Sequence, residues 1–278
     1  MRYGLFLPAF AEFADPRRVV RLAVAAEDAG WEGLFLWDHV LAIPGMAVAD
    51  AWVTLSAVAM ATSRLRIGAL VTPLNRRRPW VIARQIATLD HLSGGRLVVG
   101  VGIGDDDWKE FSSFGEVTGQ VARGELLDES LAVLRQLLTG QPVDYEGKRL
   151  SVHSGPFLPR PLQDPVPIWG ACRWPNRRPL KRAAHLEGCF VIFPAREVTP
   201  PSPSEVAAVR EQLDRLGAPA GSDLVVRCVM PRGGPAVLEE TVASLEQAGA
   251  TWILESFGPG EPPASEIEAT VAAGPPRH

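Results

Sequence analysis

The sequence predicts an α/β fold: a single (β/α)8 barrel over residues 1–278, with a hairpin and loop inserted between its fourth and fifth strands. Three observations lead there. Strand-like and helix-like segments alternate from end to end, the pattern of a parallel sheet with crossover helices. The length of 278 residues suits one barrel, a unit that commonly runs to about 250 residues. Residues 67–104 hold one complete strand-helix-strand unit with its punctuation.

In that unit the apolar runs 65–71 and 97–101 read as strands buried on both faces. Between them Pro79 suits a first helical turn, Ile82, Ile86, Leu89 and Leu92 recur at helical spacing, and Gly94-Gly95 offers a left-handed C-cap. The same reasoning places strands at 3–7, 33–37, 65–71, 97–101, 166–170, 189–193, 224–230 and 252–255. Helices are expected at 15–29, 50–61, 79–92, 124–138, 176–185, 204–216, 235–247 and 265–273. The first opens on Asp15 as N-cap, closes at Gly30, and carries Val19, Leu22, Ala23 and Ala26 on its inner stripe. Helical spacing lapses between 140 and 165, where the short β-like pieces 143–145 and 150–152 predict a hairpin laid across the barrel mouth. The proline- and serine-rich stretch 194–203 reads as an exposed connection of variable conformation.

Composition narrows the function classes. With 46% hydrophobic and 22% charged residues and a net charge of -4, the chain can bury a large core and has no global attraction to nucleic acid or anionic membrane. No apolar run approaches membrane-spanning length, and the opening residues 2–8 are too short and too soon broken by Pro8 to form a signal peptide. Cys172, Cys189 and Cys228 are odd in number and scattered, which argues against disulfides and against a metal site. A cytoplasmic protein acting on a small molecule is the expectation.

In a barrel the chemistry belongs at the C-terminal ends of the strands. There the sequence places Phe6 to Phe10, then Trp37-Asp38-His39, Val71-Thr72-Pro73, Gly102-Ile103-Gly104-Asp105, Gly170-Ala171-Cys172-Arg173 and Glu255-Ser256-Phe257. His39 is the first catalytic candidate, because an imidazole exchanges a proton near neutral pH with little tuning; a loop-supporting histidine is the plain alternative. Gly170, Ala171, Cys172 and Arg173, running into Asn176, Arg177 and Arg178, suit a phosphate seat at a helix start and equally suit an ordinary strand-to-helix turn. Arg76-Arg77-Arg78 reads as a loop triplet that could meet an acidic ligand.

Four pieces in this order, Val71-Thr72-Pro73, Ala83-Arg84-Gln85, the run from Leu89 to Arg96 and Gly100-Val101-Gly102, resemble the luciferase-like superfamily of flavin- and deazaflavin (F420)-dependent oxidoreductases. The resemblance spans essentially the whole chain. It implies a ring slot at the ends of strands three and four, lined by Ala69, Leu70, Thr72, Gly102 and Gly104, with a cis or bulged peptide at Ala69–Leu70. It implies His39 beside the cofactor, Asp38 as a cofactor contact, and Asp105 as a second proton carrier. It also implies a homodimer.

This chain departs from the branch that oxidises sugar phosphates and alcohols, holding Ile43 and Asp105 where that branch has tryptophan and glutamate, and from the usual glycine pair at Ala171-Cys172. The resulting expectation is hydride transfer with F420, favoured over FMN by Asp38-His39 and the arginines at 76–78, 173, 177 and 178. An FMN monooxygenase using dioxygen, a non-catalytic cofactor-binding or structural barrel, and a non-redox barrel enzyme for a phosphorylated substrate are the alternatives.

Overall fold

The computed structural model describes residues 1–194, 199–231, 234–258 and 262–276. Nine parallel strands form one sheet: β1 (Arg2–Leu7), β2 (Gly33–Leu36), β3 (Arg66–Ala69), β4 (Thr72–Pro73), β5 (Val99–Gly102), β8 (Ile168–Arg173), β9 (Gly188–Ile192), β10 (Asp223–Cys228) and β11 (Trp252–Ser256). Their order is β3-β2-β1-β11-β10-β9-β8-β5-β4. A parallel bridge from Ile67 to Leu97 joins β3 to the residues entering β5, while β4 pairs with β5 directly. β3 and β4 are therefore two halves of one stave, and eight staves close the barrel. Gly68 permits the closure, since a Cβ there would lie 2.0 Å from the Val98 carbonyl oxygen.

The helices are α1 (Pro16–Ala29), α2 (Ala51–Ala61), α3 (Pro79–Ser93), α4 (Gln120–Leu138), α5 (Arg177–Ala183), α6 (Pro203–Arg215), α7 (Pro235–Gln247) and α8 (Ala264–Ala273). Their punctuation is that expected of the sequence. Asp15 accepts from the Arg17 N–H ahead of α1, Gly30 and Gly94 end α1 and α3 in the left-handed conformation, and Pro79 opens α3. Side chains alternate between two cores. Phe6, Phe35, Leu70, Val98, Trp169, Phe190, Val225, Trp252 and Leu254 fill the barrel, and the residues between them pack outward against the helices.

Three expectations change. α4 begins a turn earlier than predicted, at Gln120 rather than Gly124. The inserted hairpin, β6 (Val143–Glu146) paired antiparallel with β7 (Ser151–Ser154), lies along α4 and not across the mouth. Glu129 of α4 accepts the N–H groups of Arg149 and Leu150, and Asp90 near the end of α3 accepts those of Leu162 and Gln163. α4 carries the chain away from the mouth before the hairpin starts, so Val143, Leu150 and Val152 bury against the outer core at that distance. Third, the predicted cis bond lies one residue later, at Leu70–Val71. Leu70 N–H still donates to Leu36 O, so the ladder with β2 runs through Leu70 and the stave breaks only after it.

All three cysteines are free and buried. Among the described residues no helix is long and apolar enough to cross a membrane. The connection 194–203 includes residues 195–198, which lie outside the described residues.

Candidate active site

Cis Leu70–Val71 turns two consecutive side chains toward the barrel interior, so Val71 joins Leu70 on the inner core while Thr72 faces outward. Beside Val71 the strand ends of β5 and β8 bring Gly102 and Ala171. A Cβ on Gly102 would stand 2.7 Å from Val71 Cγ2 and 3.4 Å from Ala171 Cβ. The missing side chain leaves a flat apolar floor, with Val71, Ala171 and Ile192 all partly open to solvent. Gly104, with φ of +68°, then turns the chain so that Phe111 packs against it.

His39 stands on one wall of this mouth, at the end of β2. Its Nδ1 donates to Glu110 Oε2 at 2.7 Å, and its ring lies 4.8 Å from Trp108, 5.8 Å from Phe10 and 6.1 Å from Trp37. Glu110 is buried, and its Oε1 accepts from Val40 N–H at 2.7 Å and from Arg76 Nη1 at 3.3 Å. Burial works to raise the Glu110 carboxyl; the hydrogen bond and charge of His39, the Arg76 charge and the Val40 N–H outweigh it and hold it below its usual value. An ionised acceptor at Nδ1 fixes the proton there, so Nε2 is left as the exchanging nitrogen. It has no hydrogen-bond partner among the described residues.

Asp38 is placed differently from its expected role. Both its oxygens accept from Arg77 Nη2, at 2.9 and 2.8 Å, and Arg76 reaches its carbonyl at 2.8 Å. Two buried carboxylates, Asp38 and Glu110, require cations, and Arg76 and Arg77 supply them. The triplet 76–78 is therefore largely internal. Only Arg78 is exposed, over the Trp80 ring.

The rest of the mouth comes from β5 and β8, while the start of α4 adjoins the first wall, where Arg76 and Arg123 both lie over the Phe111 ring, at 5.7 and 4.7 Å. Asp105 accepts from Asp107 N–H at 2.8 Å and faces Arg173 Nη1 at 3.4 Å. Its modest burial works to raise the carboxyl; hydrogen bonds from Asp107 and the Arg173 charge override that and hold it below the usual range, which suits an ion pair better than a proton carrier. Arg123, in the first turn of α4, is 4% exposed, and its guanidinium lies 4.7 Å from the centre of the Phe111 ring. Neither its Nε nor its Nη1 has a hydrogen-bond partner. The N-cap, Gly119, supplies no side-chain bond and no acidic residue occupies that first turn. A buried cation without a counter-charge, at a helix start, is an arrangement that an anionic ligand completes.

Three expected contact residues point away from the mouth. Thr72 is fully buried with its hydroxyl accepting from Trp52 Nε1, Ala69 packs in the outer core, and a Cβ on Gly170 would meet Ala183 of α5 at 3.0 Å. Cys172 is likewise buried in the outer layer, its Sγ 3.6 Å from Asn176 O. Strand alternation accounts for all four. Leu70, Gly102, Ala171 and Arg173 are on the inward register.

Sequence reasoning missed Glu110, Trp108 and Arg123. The first two lie on a loop with no periodicity to tie them to His39. Arg123 was hidden by starting α4 one turn late. A surface groove of about 660 Å³ beside His91 and Leu158 to Leu162 lies along the far half of α3 and holds none of these groups.

The fold has many counterparts. A coenzyme F420-dependent tetrahydromethanopterin reductase from Methanopyrus kandleri superposes with a TM-score of 0.76 at 19% identity, over 98% of each chain. A monooxygenase from Streptomyces bottropensis superposes with a TM-score of 0.79 at 20% identity, over 98% of this chain and 96% of its own. The oxygenating constituent of 3,6-diketocamphane monooxygenase from Pseudomonas putida, in complex with FMN, gives 0.74 at 14% identity, over 99% and 97%. Residues 1–251 match the family model described as luciferase-like monooxygenase, and the chain belongs to that family.

Proposed function

We propose that this chain is an oxidoreductase that moves a hydride with a flavin-type cofactor at the barrel mouth, F420 in preference to FMN. The observation that carries the reading is the Glu110–His39 pair, which presents an unpartnered Nε2 inside an aromatic wall beside a flat apolar floor. When bound, the cofactor supplies hydride transfer, and the protein supplies the rest. Val71, Gly102 and Ala171 would support the ring, Phe10, Trp37 and Trp108 would exclude water, and His39 would hold or take a proton at Nε2.

The residues present fit such a group. Arg123 has two unpartnered buried nitrogens for a phosphate, and Trp37 Nε1 and Asn75 Oδ1 are also buried without partners. Beyond Arg123, the exposed Arg177 and Arg178 add positive charge, which favours a cofactor whose acidic tail extends past its first phosphate. FMN ends at that phosphate. Fluorescence titration should find F420 bound at least about tenfold tighter than FMN, about 1.4 kcal/mol, with the gap narrowing as salt rises. Equal or tighter FMN binding moves the assignment to an FMN monooxygenase, and binding of neither leaves a barrel without a cofactor.

The same reading includes a homodimer in the cytoplasm. α2 is apolar on nearly every side, and its exposed Val53 and Met60 adjoin exposed Trp80 and Val81 of α3, a face suited to a second copy. Sedimentation that finds only monomer rejects this part.

A further inference from the structure

Among the described residues, the non-glycine residues with a left-handed backbone are Ala11, at φ of +55°, and Lys109, at φ of +61°. An L side chain is disfavoured in that region, so such a residue persists only where its surroundings over-determine it. Each directly follows an aromatic residue of the His39 wall. Phe10 precedes Ala11 and Trp108 precedes Lys109; their rings lie 5.8 and 4.8 Å from the imidazole and 5.4 Å from each other. Ala11 N–H donates to Ala47 O at 3.1 Å and Ala49 N–H to Ala9 O at 2.7 Å, so the segment 47–49 pins Ala11 in place. Lys109 N–H donates to Asp106 O at 2.9 Å, while Asp106 Oδ1 accepts from Phe111 N–H at 2.8 Å and Ser112 N–H at 3.1 Å, which clasps the loop around it. Glu110, the next residue, accepts from His39 Nδ1, so the residues on both sides of Lys109 close on one ring. Lys109 itself is exposed, and its ammonium joins none of these contacts.

We propose that Ala11 and Lys109 are positioning residues: their left-handed backbones turn Phe10, Trp108 and Glu110 onto the His39 imidazole and so fix the plane of the ring and the direction of Nε2. Both act through backbone conformation rather than through their side chains. Strain held at two points beside one titratable ring fits a preorganised site, where a proton carrier works only at a fixed geometry. For its bearing on the reaction the proposal rests on the oxidoreductase reading, while the geometry is measured without turnover.

Substitutions ranked by their tolerance of the left-handed region test it, since Gly and Asn enter that region readily and β-branched Val does not. Proton NMR of the full chain reads His39 Hε1 and Hδ2, displaced by the ring currents of Trp108 and Phe10, together with the Nδ1 proton bonded to Glu110. Lys109→Asn and Lys109→Gly should keep the parent pattern, and so should Lys109→Ala, which removes only the ammonium. Lys109→Val should move the ring protons toward their unstacked positions and lose the Nδ1 resonance to solvent exchange. Ala11→Val should move the ring protons, and Ala11→Gly should leave them in place. Asp106→Ala, which removes the carboxylate of the clasp without touching the core, should repeat the Lys109→Val pattern, and adding Lys109→Gly should restore the parent one. This pair decides the matter where Lys109→Val does not fold. Unmoved resonances in Asp106→Ala or in folded Lys109→Val or Ala11→Val overturn the proposal, as does a change in Lys109→Ala or Lys109→Asn as large as in Lys109→Val. Titrating F420 and FMN into the parent separates the two readings. The expected order of resonances with neither cofactor bound sinks the oxidoreductase reading alone, and cofactor binding with unmoved resonances sinks the positioning proposal alone.

Discussion

The two walls of the barrel mouth treat charge in opposite ways. On the β2 side, buried Asp38 and Glu110 pair with the largely buried Arg76 and Arg77, so the wall around His39 is locked. At the start of α4, Arg123 is as deeply buried but its Nε and Nη1 have no hydrogen-bond partner among the described residues, and Arg177 and Arg178 of α5 stand exposed. A cluster whose charges cancel holds a side chain in place, whereas a cation left unsatisfied creates demand for a ligand. The first wall is built to orient a proton carrier and the second to attract an anion.

The largest expected effect is on the locked wall. His39→Ala should lower turnover on the order of 100-fold or more, the usual contribution of a positioned acid or base, with cofactor affinity within a few-fold of the parent. Steady-state kinetics beside a binding titration make the check. If turnover is unchanged, the pair with Glu110 is loop support and the contrast between the walls loses its chemical meaning. If cofactor affinity collapses as well, the two walls are not separable.

That contrast also explains what the sequence could and could not disclose. Strands, helices and their caps follow from local patterns, so Asp15, Gly30, Pro79 and Gly94 were readable one by one, and the barrel with them. His39, Gly102 and Ala171 could be grouped from the sequence because strand ends in a barrel share one face. Asp38 and the triplet 76–78 were visible as charges, but whether they face solvent or each other is decided by Glu110, which is 72 residues from Asp38 and joins them only through the fold. Thr72, Ala69, Cys172 and Gly170 lie on the outward register, a matter of strand parity that the sequence leaves open at each strand end. Arg123 carries no sequence signal beyond being an arginine. Its importance lies in the partners it lacks.

A second, smaller effect belongs to the open wall. Arg123→Met should weaken binding of the phosphate-bearing cofactor on the order of tenfold and flatten its salt dependence. The same change should leave the stability of the free protein unaltered or raise it by on the order of 1 kcal/mol, because an unpaired buried charge is replaced by an apolar chain of similar length. Cofactor titration at two salt concentrations and thermal melts supply both readings. A destabilised variant with intact affinity would make Arg123 a packing residue and erase the difference between the walls.

The smallest effect uses pH to loosen the wall around His39. The Glu110 carboxyl is held below its ordinary value of 4.5 in the folded chain. Above that ordinary value both folded and unfolded chains are ionised there, and the stabilisation from its bonds to His39, Val40 and Arg76 is complete. As pH falls, the unfolded chain takes up its proton first, so stability declines until the folded carboxyl is protonated too. The loss should be on the order of 1 kcal/mol, as for one charge-assisted hydrogen-bonding group. Asp105, also held below its ordinary range, adds a slope of the same sign on the other wall, and Glu110→Gln removes only the part that belongs to Glu110. Denaturant melts of the parent and Glu110→Gln between pH 6 and pH 3 (about, spanning the carboxylate range) should show a shallower acid decline in the variant, while Arg123→Met tracks the parent. Parallel declines in parent and Glu110→Gln would mean that the carboxylate is not what locks the His39 wall.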